Sequence, residues 1–302
     1  MPENDLIVQW SDVETKLDQL EKVEGGFSNV TKGLLKLDDD KQVFVKIATE
    51  PENKKWTRKE IAIYRFLAIH SYPHIPKLLA ANQDDTGFVL EALVQSDGWQ
   101  WQDIWDEGRL NATLAAMKDL SNIVVSNEEK VNLEDKSLSE TDSGWEKLNS
   151  SNTLQSVLKD NLNSVGRVDL TNLNFKFLNE KSKNFIFNND TLVHYDIRSD
   201  NCAWNEELKE VRLIDWNWTQ IGDTRIDKAS LFTTVKKSGF DIGSRLIELD
   251  SGALLWMAGF WLAAASTTSL LGGLDALRNS QLMSGVTAFE LATNINPELN
   301  RT

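Results

Sequence analysis

The 302-residue chain has one cysteine, Cys202, and three histidines, His70, His74 and His194. A lone cysteine rules out an internal disulfide and fits a reducing compartment, so a cytoplasmic location is expected. Three scattered histidines cannot build a structural zinc centre of the Cys/His type. Basic residues are in short supply: 32 stand against 46 acidic ones, a formal charge of −14. Such a surface repels phosphate backbones, and no local basic patch relieves it, so no nucleic-acid partner is expected. The opening MPENDLIVQW has no basic stretch leading into an apolar one, so no signal peptide is expected. Internal repeats and low-complexity tracts are lacking as well.

What is present is an ordinary hydrophobic content of 41%, enough for a sizeable core. One stretch, Ser251 to Leu274, carries no charge and includes LLWMAGFWLAAA. It is long enough to span a bilayer. Four consecutive hydroxyl residues, Ser266 to Ser269, and the lack of a flanking cluster of Lys or Arg favour a buried helix of a helical lobe, and no membrane partner is expected.

The first ninety or so residues read as strands with one helix. VEGGFSNVTKGLLKL suggests strand–turn–strand, QVFVKIA and GFVLEAL read as strands, and Trp56 to Ile69 has helical spacing. After Leu93 the pattern turns helical: Trp99 to Ser121, about 153–165, about 173–187, and from Asp227 onward. Ser126 to Ser143 is acidic and aperiodic, which predicts an exposed loop. Within the helical part, TLVHYD and VRLIDW read as two strands that come together, with NEELKE (205–210) as the turn between them. The expectation is an α+β fold of two lobes: residues 1–93, small and strand-rich, and residues 94–302, large and mostly helical.

The chemistry lies in HYDIRSDNCAWNEELKEVRLIDW. Asp196 follows a strand, Asn201 comes five residues later, and Asp215 ends the next strand. Phosphoryl transfer needs oxygen ligands for Mg²⁺, which Asn201 and Asp215 supply, and a carboxylate that orients the attacking hydroxyl, which suits Asp196. A plain hairpin with polar ends does not require this paired arrangement.

HYDIRSDN followed by LIDW resembles the catalytic signature of the aminoglycoside phosphotransferase and choline kinase family, within the protein-kinase-like fold. IGDTRIDKA is similar to the family's Gly-Asp-Pro-x-x-Asp-Leu-Ala pattern at Gly222, Asp223, Asp227 and Ala229, and GGFSN (25–29) to its nucleotide loop. The resemblance implies ATP and Mg²⁺ as cofactors and a hydroxyl on a small molecule as acceptor: an aminoglycoside-like compound, an amino alcohol or a sugar. It implies that Lys46 reaches the ATP phosphates with Glu60 as its partner. Gly25, Gly26 and Ser28 would let the loop backbone approach those phosphates, and Glu91 to Leu93 would form the hinge that meets adenine. The acceptor would lie among the helices of 98–187 and the C-terminal helices. The acidic stretch 126–142 slightly favours a cationic acceptor. No long activation segment follows Asp215, which argues against a protein substrate. A pseudokinase that binds nucleotide and acts through partners is the alternative.

Some residues depart from the family pattern. Tyr195 stands where glycine is usual, Asn217 where glutamate often follows Ile-Asp-Trp, and Thr224 where proline is common. Arg198 occupies the offset at which protein kinases carry a phosphate-contacting lysine. It either contacts the transferring phosphate or pairs with an acid such as Asp200. His194 and Asp227 are expected to support the catalytic loop. The tryptophans at 99, 101, 105, 204, 216 and 218 are expected to serve mainly in packing, with cation–π recognition of an amine as the other use.

Overall fold

The structure is a computed structural model and describes residues 8–23, 30–38, 41–126, 129, 143–267 and 276–300. The chain forms two compact units. The first comprises residues 1–123 and 199–219, the second residues 124–198 and 220–302. The fold is of the expected α+β class.

In the first unit, β1 (Glu21–Lys22), β2 (Thr31–Lys36), β3 (Gln42–Ile47), β4 (Leu78–Ala81) and β5 (Gly87–Glu91) form an antiparallel sheet in the order β1-β2-β3-β5-β4. The period-two alternation of a strand sorts its residues between two faces. Val43 and Val45 of β3, Leu35 of β2 and Val89 of β5 pack with Val8 and Val13 in one cluster. Lys46 therefore falls on the other face, directly opposite Lys32 of β2 and Phe88 of β5.

The Pro51–Ile69 helix follows β3 and begins five residues before the periodic stretch that revealed it. Pro51 sits at the first position, where its missing N–H costs nothing and its fixed φ suits the helix. Thr57, Glu60, Ile61, Tyr64 and Leu67 are its buried stripe at helical spacing.

Two readings of the sequence are corrected. The helix expected over Trp99–Ser121 occupies only Glu107–Ser121, with Asp106 capping it at Arg109 N, 2.7 Å. Trp99–Gln100 is instead an edge strand. The hairpin expected between TLVHYD and VRLIDW does not form. The 205–210 turn joins Cys202–Asn205 to Glu210–Leu213, and Trp99–Gln100 completes that sheet. Thr191–Val193 pairs with Gln220–Gly222, inside the second unit.

The rest of the second unit is helical: Trp145–Ser150, Asn152–Ser164, Phe175–Ser182, Thr224–Lys237, Ser251–Ala265 and Ala276–Ile295. The uncharged stretch forms the Ser251–Ala265 helix, capped by Asp250 and buried along most of its length, as expected. Fifteen residues rise about 22 Å, short of a bilayer core. Among the described residues no helix is long and apolar enough to cross a membrane. Trp145 packs beneath it, its indole N–H donating to Leu255 O at 2.7 Å. Gly259 allows that approach, since a Cβ there would lie 2.4 Å from the Trp145 ring and from Ser143 O.

Candidate active site

The polar centre of the first unit is built on β3, the Pro51–Ile69 helix and the turn after Glu210–Leu213. Lys46 is 8% exposed, and its Nζ donates to Glu60 Oε2 at 2.6 Å and to Asp215 Oδ1 at 3.2 Å. Burial pulls the Lys46 ammonium down, but the Glu60 and Asp215 carboxylates outweigh it and hold the group above the usual lysine range. Glu60 is raised as well, because burial lifts its carboxyl above the usual carboxylate range while Lys46 restrains the rise. The centre thus keeps a protonated, oriented ammonium in a site that would otherwise discharge it.

Asp215 adopts a left-handed backbone conformation, φ 64° and ψ 61°, at the entry to a short 3-10 turn. Such strain in a residue other than glycine costs energy and gathers at functional positions. Asn217, the departure from glutamate, donates Nδ2 to Asp215 Oδ1 at 2.7 Å. Trp216 beneath it is fully buried, stacked edge-on against Tyr72, while Trp218 is 43% exposed beside Trp56.

Asn201 closes the Ser199–Asn201 turn and is buried, and its carbonyl accepts from Ile214 N at 3.0 Å. This bond ties the Asn201 turn to the segment that carries Asp215. Arg109 secures the same turn. It is 1% exposed, stacks on Trp105 at 4.3 Å, and donates to the carbonyls of Gln102 (2.5 Å), Ile104 (2.7 Å), Ser199 (3.1 Å) and Cys202 (2.7 Å). Trp105 Nε1 reaches Ser199 Oγ at 3.1 Å, and Ser199 in turn donates to Asp103. Sequence reasoning missed Arg109, because an arginine in the first turn of a helix carries no local sign of partners ninety residues away.

In the second unit, Asp196 lies just beyond Thr191–Val193. Its N–H donates to His194 Nδ1 at 3.2 Å, and its Oδ1 is 3.1 Å from Arg198 Nε. Arg198 thus has Asp196 itself as an acidic neighbour. His194 is fully buried, and Asp227 accepts the N–H groups of His194 (2.9 Å) and Tyr195 (2.5 Å). Both residues therefore support the segment as expected. Burial pushes the Asp227 carboxyl up to about 7, against the opposing pull of those two amides. Tyr195 has φ 62°, the region that favours glycine, which accounts for the glycine the resemblance led one to expect. Asp223 caps the Thr224–Lys237 helix, accepting from Asn188 N, Arg225 N and the Arg225 guanidinium. Burial would raise its carboxyl, but these hydrogen bonds bring it below the usual range. Thr224 stands at the first helical position, where proline would also fit.

Of the other sequence candidates, Gly25, Gly26 and Ser28 lie outside the described residues. Glu91 ends β5, and its N–H donates to Lys77 O at 2.9 Å, so that donor is already committed. Leu93 is buried, and its carbonyl accepts from Trp101 Nε1 at 2.8 Å. The acidic stretch 126–142 lies outside the described residues except for Ser126 and Glu129. The tryptophans at 99, 105, 204 and 216 are buried, which bears out packing as their use.

The first unit's donors suit a hard cation: the carboxylate of Asp215 and the amide of Asn201 are oxygen ligands. Among the described residues no group of three or more His, Cys, Asp or Glu is placed to hold a metal ion. Mg²⁺ in phosphoryl-transfer sites is held by one or two protein oxygens together with phosphate, and the pair fits that pattern.

No family model matches the chain, and no curated protein does. Solved structures do. A choline kinase from Streptococcus pneumoniae matches with a TM-score of 0.57 at 14% identity, over 92% of this chain and 96% of that one. An aminoglycoside phosphotransferase from Alicyclobacillus acidocaldarius matches with a TM-score of 0.56 at 11% identity, over 97% and 96%. An amicoumacin kinase in complex with AMP-PNP, Ca²⁺ and Ami matches with a TM-score of 0.51 at 14% identity, over 93% and 92%. The chain has the protein-kinase-like fold these structures share.

Proposed function

We propose that the chain is a small-molecule phosphotransferase, related to the aminoglycoside phosphotransferases and choline kinases, that moves a phosphoryl group from Mg²⁺-ATP to a hydroxyl. The observation that carries this reading is the Lys46–Glu60–Asp215 array, with Lys46 and Glu60 buried and Asp215 at its open side. An ammonium held charged between two carboxylates has little use in packing, and it suits an anion that arrives beside it. The shared fold supports the reading, as does the nucleotide analogue bound by one of the similar proteins.

In this reading Lys46 contacts the nucleotide phosphates and Glu60 fixes its direction. Asn201 and Asp215 hold Mg²⁺, which neutralises charge on the transferring group. Asp196 orients the acceptor hydroxyl and takes its proton, while Arg198, beside it, contacts the transferring phosphate. Gly25, Gly26 and Ser28 line the phosphate loop, and the backbone from Glu91 to Leu93 receives adenine. The lobes would be residues 1–93 for nucleotide and 94–302 for acceptor, in a cytoplasmic enzyme. The acceptor is an amino sugar, amino alcohol or sugar.

The test is ADP formation from Mg²⁺-ATP against panels of those three classes, with Asp196→Ala alongside. Acceptor-dependent turnover is expected for one class, with Asp196→Ala lowering kcat by about 10²–10⁴-fold while AMP-PNP affinity stays within about twofold. Full turnover in that variant overturns the role of Asp196. Absence of nucleotide binding in the parent chain overturns the whole reading.

A further inference from the structure

The face of the sheet that presents Lys46 carries a second lysine. Antiparallel register sets Lys32 of β2 directly opposite Lys46 of β3, and Phe88 of β5 directly opposite Lys46 on its other side. Directly opposed side chains have Cβ atoms about 4.5–5.5 Å apart, and like charges in that relation repel. Lys32 is only partly exposed, so solvent screens the repulsion incompletely. Burial and the Lys46 charge both work against the Lys32 ammonium, while Asp215, Asp200 and Glu60 lie close enough to favour it.

A chain with 46 acidic residues and 32 basic ones thus sets two of its lysines face to face. The carboxylates of Asp215, Asp200 and Glu60 offset the repulsion only in part. On a strand position that faces the polar centre, a neutral β-branched residue would satisfy the sheet better. The geometry points to Lys32 as a second nucleotide-phosphate cation, which with Lys46 forms a two-lysine cradle for a polyphosphate. This inference rests on the nucleotide reading above and adds a residue to it. A bound polyphosphate turns the lysine–lysine repulsion into a shared attraction. Phosphate count should therefore decide how much Lys32 contributes.

The experiment is calorimetric titration of the full chain and of Lys32→Gln and Lys32→Arg with AMP-PNP, ADP and adenosine, in Mg²⁺, with no turnover involved. Thermal unfolding of each variant accompanies it. Lys32→Gln is expected to weaken AMP-PNP by about 10- to 100-fold, ADP by less, and adenosine by under about twofold. Lys32→Arg should recover most of the AMP-PNP affinity, and added salt should narrow the gap between the parent chain and Lys32→Gln. An equal loss for all three ligands would make Lys32 a structural residue and overturn the inference. So would unchanged AMP-PNP affinity in Lys32→Gln. A parent chain that binds none of the three would overturn the nucleotide reading itself, a result distinct from either.

Discussion

Tyr195 and Gly222 are complementary: a Cβ on Gly222 would stand 2.1 Å from the Tyr195 hydroxyl oxygen and 2.5 Å from Cζ. The phenol fills the space over the glycine, and its hydroxyl accepts the Asp223 N–H at 2.7 Å. This contact offsets the cost of holding Tyr195 at φ 62°. It joins the residue before Asp196 to the cap of the Thr224–Lys237 helix.

The pair predicts a specific non-additivity. Gly222→Ala should destabilise by about 1–3 kcal/mol through overpacking. Tyr195→Gly should cost less than a buried tyrosine normally would, because it relieves a left-handed residue worth about 1–2 kcal/mol. The double variant Gly222→Ala/Tyr195→Gly should then be more stable than the sum of the two single losses, since the glycine at 195 clears the space the new methyl needs. Urea unfolding of the four proteins measures the coupling, and strict additivity would show that the two residues do not share that space.

Arg109 predicts a loss that no conservative change repairs. Arg109→Met would strip four carbonyls of their donor, at a cost of about 3 kcal/mol or more. Arg109→Lys should recover little, because a single ammonium cannot span acceptors that a planar guanidinium reaches from both edges. Denaturant midpoints for both variants check this, together with AMP-PNP affinity, which should fall as the Asn201 turn loosens.

These residues mark how far the sequence could be read. Glu60 and Asp215 lie 14 and 169 residues from Lys46, yet the family resemblance implied Lys46 and Glu60 as partners, and the structure pairs them at 2.6 Å. The fold class followed from the order of strand-like and helical patterns. Strand pairing did not. TLVHYD and VRLIDW are both short runs with apolar residues at their centre, and nothing local shows that one pairs with IG of IGD and the other with CAWN. CAWN itself was hidden, because a four-residue strand flanked by Asn201 and an acidic turn has no length in which to alternate. Lys32 and Arg109 are illegible for a different reason. A lysine on a strand and an arginine on a helix look solvated until the register and the distant carbonyls are known.

The Lys46–Glu60 pair predicts different outcomes for its two members. Lys46→Met should leave two carboxylates facing each other and weaken AMP-PNP by about 10-fold or more, since a charged contact to phosphate is lost. Glu60→Gln keeps a hydrogen-bond acceptor for Nζ at that distance and should affect binding less. It should, however, reduce kcat through misdirection of the ammonium. Comparing Kd for AMP-PNP with kcat in the two variants separates the roles. Equal effects on both quantities in both variants would show that the pair acts as one structural unit.

Asp227 gives a pH prediction with a definite sign. Its carboxyl is pushed up to about 7 in the folded chain, above its ordinary value near 4. Between those values the folded state binds more protons than the unfolded one, so this group's contribution to stability is fully present below about pH 4 and declines as pH rises toward 7. Asp227→Asn carries no charge at any pH. It should therefore be less stable than the parent at pH 5, where it loses one of the two amide acceptors, and the difference should shrink toward pH 8 as the parent pays the cost of a buried charge. The comparison also removes Asp223, whose lowered carboxyl works in the opposite direction in both proteins. Urea unfolding at half-unit steps from pH 5 to 8 measures the two slopes, and parallel curves would place the Asp227 carboxyl in its ordinary range.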